Sequence, residues 1–184
     1  MRNKLLVGSL AVLAVFAIAC GATKTDSTVS GDGQNGSANA GQGPAGDQGP
    51  ATAAIGQTVT LSNSSTSVQI TLSDAKQYTT NPHSSFDKPQ KGVYVVVNAT
   101  IVCAKGTYMA NMFNFKFVGG DGTAYSPTIA IGFDPTLDSV TLNAGQKAAG
   151  NIIFDVSKAA VAGGKIQVDG IGLDFDQPAA YWTL

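Results

Sequence analysis

The chain contains no glutamate, one arginine and one histidine, and only 12% of its 184 residues are charged. A nucleic-acid-binding surface needs clustered Lys and Arg, so this composition argues against a nucleic-acid partner. The scarcity of Arg also removes the bidentate clamp that proteins use on phosphate or carboxylate groups. We expect a protein that is not an enzyme, with no catalytic residue, no metal and no cofactor.

Cysteine is almost as scarce, with Cys20 and Cys103 as the two examples. Cys103 lies on the apolar face of a predicted strand, and no cluster of His or Lys lies near it in the sequence to lower its pKa. A free cysteine in that position behaves as a small buried hydrophobe. We therefore expect no disulfide and no reactive thiol in the folded part.

The first 20 residues have the pattern of an export signal. Arg2 and Lys4 precede an apolar stretch from Leu5 to Ala19, which is long enough for a signal peptide and too short to span a bilayer. Ala17-Ile18-Ala19-Cys20 resembles the lipobox of bacterial lipoproteins, although Ala17 stands where Leu is commoner. The resemblance implies that residues 1–19 are removed, that Cys20 is lipidated, and that the acyl chains attach the protein to the membrane. An uncleaved helical anchor, or cleavage elsewhere with release, remains an alternative.

The composition of residues 20–54 predicts a tether. From Gly21 to Ala54 there is no aromatic residue, and Val29 is the only branched aliphatic residue. Such a segment cannot bury enough apolar surface to offset its ordering entropy, so the composition predicts a disordered linker rich in Gly, Ser and Ala. After removal of residues 1–19 the chain contains nine Lys and twelve Asp, which give a net charge of −3.

Residues 55–184 show the period-two pattern of β-strands, most clearly in Gly92–Cys103. One face of this stretch is wholly apolar and the other is mixed, which predicts a long central strand with one side on a core. The apolar face consists of Val93, Val95, Val97, Ala99, Ile101 and Cys103. Short strands with turn residues between them recur on both sides of it. The pattern predicts an all-β domain, an immunoglobulin-like antiparallel β-sandwich of seven to nine strands.

A series of short motifs in residues 55–184 resembles the telokin-like, immunoglobulin-fold domain of unknown function found in surface lipoproteins of Gram-positive bacteria. It is also similar to the related immunogenic secreted protein family of mycobacteria. The matching pieces are Ile55–Val59, Lys88–Ile101, Phe115–Val118, Asp121–Tyr125, Leu142–Gln146 and Gly150–Val156. The resemblance implies a fold and a surface location. It implies no reaction and no shared functional residues.

Two features could carry chemistry, and each has a simpler interpretation. His83 lies between two prolines with Ser84 and Ser85 beside it, but adjacent residues rarely form a triad and no Gly-x-Ser-x-Gly motif is present. Asp174 and Asp176 could offer oxygen ligands to Ca²⁺. Their alternation around Phe175 fits the solvated face of a strand better.

Aromatic residues in the long loop and at the C-terminal end predict a possible binding surface. Its candidate residues are Tyr78, His83, Phe86, Tyr181 and Trp182. Exposed aromatic patches are typical of partner or glycan surfaces. The alternative is that these side chains close the end of the sandwich.

The first hypothesis for function is a lipid-anchored protein on the extracellular face of the cell membrane, whose domain binds a cell-envelope protein or a wall polymer. The second is a structural or antigenic surface domain with no dedicated ligand. The third is a metal-dependent or hydrolytic enzyme, which the composition favours least.

Overall fold

A computed structural model describes residues 24–30, 49–172 and 177–184. These residues form thirteen β-strands, one short α-helix, α1 (Lys158–Val161), and a 3-10 turn at Met112–Asn114. The strands are β1 (Asp26–Ser30), β2 (Ala51–Ala54), β3 (Thr58–Ser62), β4 (Ser67–Tyr78), β5 (Gly92–Lys105), β6 (Thr107–Ala110), β7 (Phe115–Val118), β8 (Ala124–Tyr125), β9 (Pro127–Thr128), β10 (Val140–Asn143), β11 (Lys147–Ser157), β12 (Lys165–Asp169) and β13 (Pro178–Thr183). The signal peptide and Cys20 lie outside the described residues.

The strands form two main sheets and a ribbon. The six-stranded sheet has the order β1-β3-β4-β5-β11-β9, the five-stranded sheet has the order β2-β13-β12-β7-β8, and β10 pairs with β6. Among the described strands every pair is antiparallel except β2 with β13. The predicted all-β sandwich is confirmed. The strand count exceeds the predicted seven to nine because several strands have only two to five residues, too few to show a period.

The main core lies between the two large sheets. All six residues predicted for the apolar face of β5 are buried in it, including the free Cys103. The five-stranded sheet contributes Phe115, Phe117 and Trp182, each of them fully buried. Phe117 on β7 meets Phe154 on β11, with ring centroids 6.0 Å apart. Burial of each such side chain contributes about 1.5–3 kcal/mol, so this interior holds the two sheets together.

The other face of β5 is also partly covered. Tyr94 and Val96 pack with Ile153 of β11 in a second, smaller core beneath Ala130 and Phe133. The chain between β9 and β10 supplies this cover. The six-stranded sheet therefore has a main core on one side and a loop-covered patch on its outer side.

The described residues differ from the prediction in the segment before residue 55. Strands β1 and β2 lie within residues 20–54, where the composition indicated disorder. Both add to sheet edges mainly through backbone hydrogen bonds, which leave no hydrophobic period to detect. At the other end, the strand predicted from the alternation of Asp174 and Asp176 around Phe175 lies outside the described residues. The last strand observed is β13.

Candidate functional site

The loop between β4 and β5 is fixed against the sheet by the carboxylate of Asp87. Its Oδ1 accepts a hydrogen bond from the Tyr94 hydroxyl at 2.9 Å. Its Oδ2 accepts from Asn81 Nδ2 at 2.9 Å and from the backbone N–H of Ile131 at 2.8 Å. One side chain therefore joins its own loop, strand β5 and the segment that follows β9.

These hydrogen bonds set the charge states at the loop. The backbone N–H of Ile131 and the Tyr94 hydroxyl lower the pKa of Asp87, with a smaller contribution from Asn81. Burial raises the pKa of the Tyr94 hydroxyl, and the neighbouring Asp87 carboxylate raises it further. Asp87 is thus ionised and Tyr94 neutral at physiological pH, which gives a stable charge-assisted hydrogen bond.

A second carboxylate holds the end of the same loop. Asp155 on β11 is buried, and its two oxygens accept from the backbone N–H groups of Gln90 at 2.8 Å and Lys91 at 3.0 Å. Since hydrogen bonds to a charged group are stronger than neutral ones, the loop is held at two points along its length.

Phe133 is the centre of an aromatic cluster beneath the loop. Its ring lies 5.3 Å from that of Tyr78, 5.2 Å from that of His83 and 5.9 Å from that of Tyr94. The preceding Gly132 has a φ of +82°, and a Cβ on it would lie 2.3 Å from the Cβ of His83. Glycine is therefore required where the two chain segments approach each other.

A polar groove of about 380 Å³ lies beside this cluster, on the outer side of the six-stranded sheet. We call it the outer groove. Its polar lining is Asp74, Lys76, Asn98, Asp134 and Asn151, and its aromatic lining includes Tyr78 and His83. Asn98 Nδ2 donates to Asn151 Oδ1 at 3.2 Å, and Asn151 Nδ2 donates to the Phe133 carbonyl at 2.9 Å.

Asp74 reaches the outer groove through a bulge in β4. The register of β4 against β5 shifts between Ser73 and Lys76, and Asp74 has a φ of 53°, the one non-glycine residue with positive φ among those described. Aspartate tolerates this left-handed conformation better than most residues. Bulges of this kind redirect a side chain, which here lines the groove.

Three apolar side chains are exposed on the two chain segments that also supply His83 and Gly132 to the outer groove. Phe86 is 96% exposed, Ile129 76% and Ile131 63%. Phe86 precedes Asp87, whose carboxylate binds the backbone of Ile131, so the loop and the segment after β9 meet here. We call Phe86, Ile129 and Ile131 the apolar rim.

The structure separates the predicted aromatic surface into two parts. Tyr78 and His83 line the outer groove, and Phe86 is exposed in the loop that follows Tyr78. Tyr181 and Trp182 lie on β13 in the other sheet. The prediction that Trp182 belongs to an exposed patch is wrong, because Trp182 is fully buried in the main core and its Nε1 donates to the Gln57 carbonyl at 3.0 Å.

Tyr181 is half-buried and faces away from the core. The ammonium of Lys165 lies 3.9 Å from its ring centroid, a cation–π contact within one sheet. Tyr181 therefore has a partner on its own sheet and does not extend the outer groove. Sequence reasoning missed Ile129, Ile131 and Asp134, which lie in a segment without strand periodicity. The sequence signal for an exposed apolar site here was the pair of isoleucines that flank Ala130 just before Gly132.

A second cavity of about 560 Å³ lies by β6 and the start of the 170–172 turn. Asp169 accepts from Lys116 Nζ at 2.8 Å and from Gln167 Nε2 at 2.7 Å, so its carboxylate is already paired. The proposed calcium ligands Asp174 and Asp176 lie outside the described residues. Within the ranges that the structure describes, no three His, Cys, Asp or Glu side chains come together as a metal site.

The sequence of residues 53–174 matches the family described as a domain of unknown function, DUF4352. The chain belongs to the DUF4352 family. The match covers most of the sandwich, including the loop with His83 and the rim isoleucines, so the candidate site is part of the family domain. No curated protein matches the chain.

Two solved structures resemble this DUF4352 domain in fold. MPT63, a secreted protein from Mycobacterium tuberculosis, is 20% identical with a TM-score of 0.57, over 73% of this chain and 98% of that one. The yjhA protein from Bacillus subtilis is 12% identical with a TM-score of 0.53, over 72% and 99% of the two chains. At these identities the likeness concerns the fold. In residues 24–30, 49–172 and 177–184, no helix has the length and apolar character needed for a membrane crossing.

Proposed function

We propose that this protein is exported and held on the extracellular face of the cell membrane by a lipid on Cys20, where its DUF4352 domain acts as a non-catalytic binding module. The partner is a component of the cell envelope, either a protein or a wall polymer. The lipobox-like sequence at residues 17–20 supports the anchor. The fold shared with MPT63, which is described as a secreted protein, is compatible with this location.

The observation that carries the binding role is the apolar rim. Phe86, Ile129 and Ile131 are large apolar side chains that are mostly exposed. They are carried by two chain segments that the hydrogen bond from the Ile131 N–H to Asp87 joins. Clustered exposed apolar residues are typical of interaction sites, whereas isolated ones are ordinary.

The chain segments that carry the rim are also tied to the sheet and to each other. Asp87 and Asp155 bind the backbone or side chains of the loop and its neighbours through five hydrogen bonds. A surface that is fixed before binding loses less conformational entropy when a partner docks. The ring of His83 packs against Phe133, which helps to fix the loop before a partner binds.

The anchor is tested by replacing the thiol. We expect Cys20→Ala to move the protein from the membrane fraction to the medium, because the acyl chains are lost. Unchanged partitioning between the two fractions would contradict lipid anchoring at this residue.

The binding role is tested with the chain from residue 21 onward, made without lipid and incubated with isolated cell envelopes. We expect saturable retention that falls at least tenfold in the Phe86→Ser/Ile131→Ser variant, as an interface hot spot would, with about 1.4 kcal/mol per tenfold step. The matched control is Met109→Ser/Phe113→Ser, two residues that are 62% and 58% exposed at the second cavity. No retention of the unaltered chain would favour a surface domain without a ligand. Equal retention of both variants would contradict the apolar rim as the binding surface.

A further inference from the structure

The outer groove has a donor and acceptor pattern of its own, distinct from the apolar rim. Asp74 and Asp134 place two exposed carboxylates on its lining, and Lys76 is the cation among the described residues there. Ionised carboxylates accept hydrogen bonds and donate none. A ligand that suits this groove must therefore present several donors.

The two amides in the groove have a settled orientation. Asn151 donates to the Phe133 carbonyl, which fixes its Nδ2, and its Oδ1 then accepts from Asn98. The Oδ1 of Asn98 is left as an acceptor on the groove side of β5, together with its second N–H. Short side chains held by such a chain of hydrogen bonds lose little rotamer entropy on binding a ligand.

The groove also has an aromatic wall and a suitable size. Tyr78 and His83, which we call the aromatic wall, both line it and both pack against the ring of Phe133. Its volume of about 380 Å³ lies within the range of small-ligand sites, about 300–1,000 Å³. The wall can cover the apolar face of a ring while the carboxylates and amides bind groups at its edge.

We propose that the outer groove binds a neutral oligosaccharide. Sugar hydroxyls donate to the carboxylates of Asp74 and Asp134. A further amide or hydroxyl group of the ligand donates to Oδ1 of Asn98 and accepts from its second N–H. A pyranose ring packs its C–H face on the aromatic wall. Two carboxylates against one ammonium leave the groove negative, which disfavours anionic polymers such as phosphate-linked or uronate-rich chains. This inference rests on the proposed function, because it names the chemical class of an envelope ligand.

The test measures binding of the chain from residue 21 onward to chitotetraose and maltotetraose, with a hyaluronan tetrasaccharide as the anionic counterpart. We expect saturable binding of at least one neutral probe and none of the anionic one. The groove variant is Asp74→Asn/Asp134→Asn, in which Asn keeps the left-handed conformation at position 74 accessible. Because charge-assisted hydrogen bonds are lost, its Kd rises about tenfold or more. The control, Asp26→Asn/Asp138→Asn, removes two exposed carboxylates elsewhere and keeps the wild-type Kd.

The inference is overturned if neither neutral probe binds, if the anionic probe binds better, or if the groove variant binds as well as the control. Retention on envelopes separates this failure from failure of the proposed function. Retention that survives the groove variant and is lost in the rim variant leaves a binding module whose ligand is not held by the groove. Failure of the unaltered chain to be retained removes the binding role itself.

Discussion

The hydroxyl of Tyr94 donates a 2.9 Å hydrogen bond to Oδ1 of Asp87, which connects the centre of the six-stranded sheet with the loop that carries Phe86. Tyr94 is only 3% exposed. In Tyr94→Phe the ring stays and the donor is lost from a charged acceptor. We expect the free energy of unfolding in urea to fall by about 1.5–3 kcal/mol. Tyr181→Phe, on the outward face of β13, is the control and should change it by less than about 0.5 kcal/mol. Equal effects would show that the hydrogen bond adds no stability.

The Asp87 carboxylate should make the free energy of unfolding depend on pH. Its pKa in the folded protein is lowered, chiefly by the Ile131 N–H and then by Tyr94. The stabilisation is fully present above the unfolded value of about 3.9 and is lost as the pH falls through the lower folded pKa. Asp87→Asn is less stable than wild type at pH 7 and loses less on acidification. Urea unfolding at pH 7 and pH 3 measures the difference, and parallel losses in the two proteins would refute it.

Asp155 holds the loop end by accepting from the N–H groups of Gln90 and Lys91. Asp155→Asn removes the charge and one of the two acceptor oxygens inside a buried site. We expect a loss of about 1–3 kcal/mol in the free energy of unfolding. The amides of Gln90 and Lys91 should exchange hydrogen faster in the native state. Asp138→Asn, on an exposed carboxylate, is the control. Unchanged exchange at both amides would mean that another contact holds the loop.

Comparing Gly132 with Gly145 tests the close approach of Gly132 to His83 at the groove. Their φ values are +82° and +87°, but a Cβ on Gly145 meets nothing within 4 Å, whereas one on Gly132 meets His83 at 2.3 Å. Gly145→Ala should lose about 1–2 kcal/mol of stability from backbone strain alone. Gly132→Ala should lose more, and the excess should shrink when His83→Gly is added. Thermal or urea unfolding of the three variants and wild type decides this; equal losses for the two single alanine variants would contradict the contact.

The strand pattern of β5 could be predicted from the sequence because alternating burial leaves a period-two signal. Its apolar face, Val93 to Cys103, lies in the main core as predicted. Tyr94 and Val96 on the opposite face are buried too, which the mixed pattern did not indicate. The cover comes from Phe133, which follows Tyr94 by 39 residues in the sequence, and no local pattern encodes that distant contact.

The candidate site was predictable in part. Tyr78, His83 and Phe86 were singled out. Tyr78 and His83 contact Phe133, and Phe86 is exposed. Trp182 was grouped with them because nothing in its short, alanine-rich strand indicated that its side chain points inwards. The groove depends on a bulge at Asp74 and on long-range placement of Asp134, and neither has a sequence signal strong enough to read alone.

Strands β1 and β2 belong to different sheets, so the segment before residue 55 completes both of them. A fragment begun at Ile55 would uncover the backbone N–H and C=O groups along one side of β3 and of β13. Bare strand margins of this kind recruit other chains. Strands β1 and β2, which the composition assigns to a linker, thus protect the domain from self-association. Their removal would leave a folded core with two exposed strand edges that promote oligomerisation or aggregation.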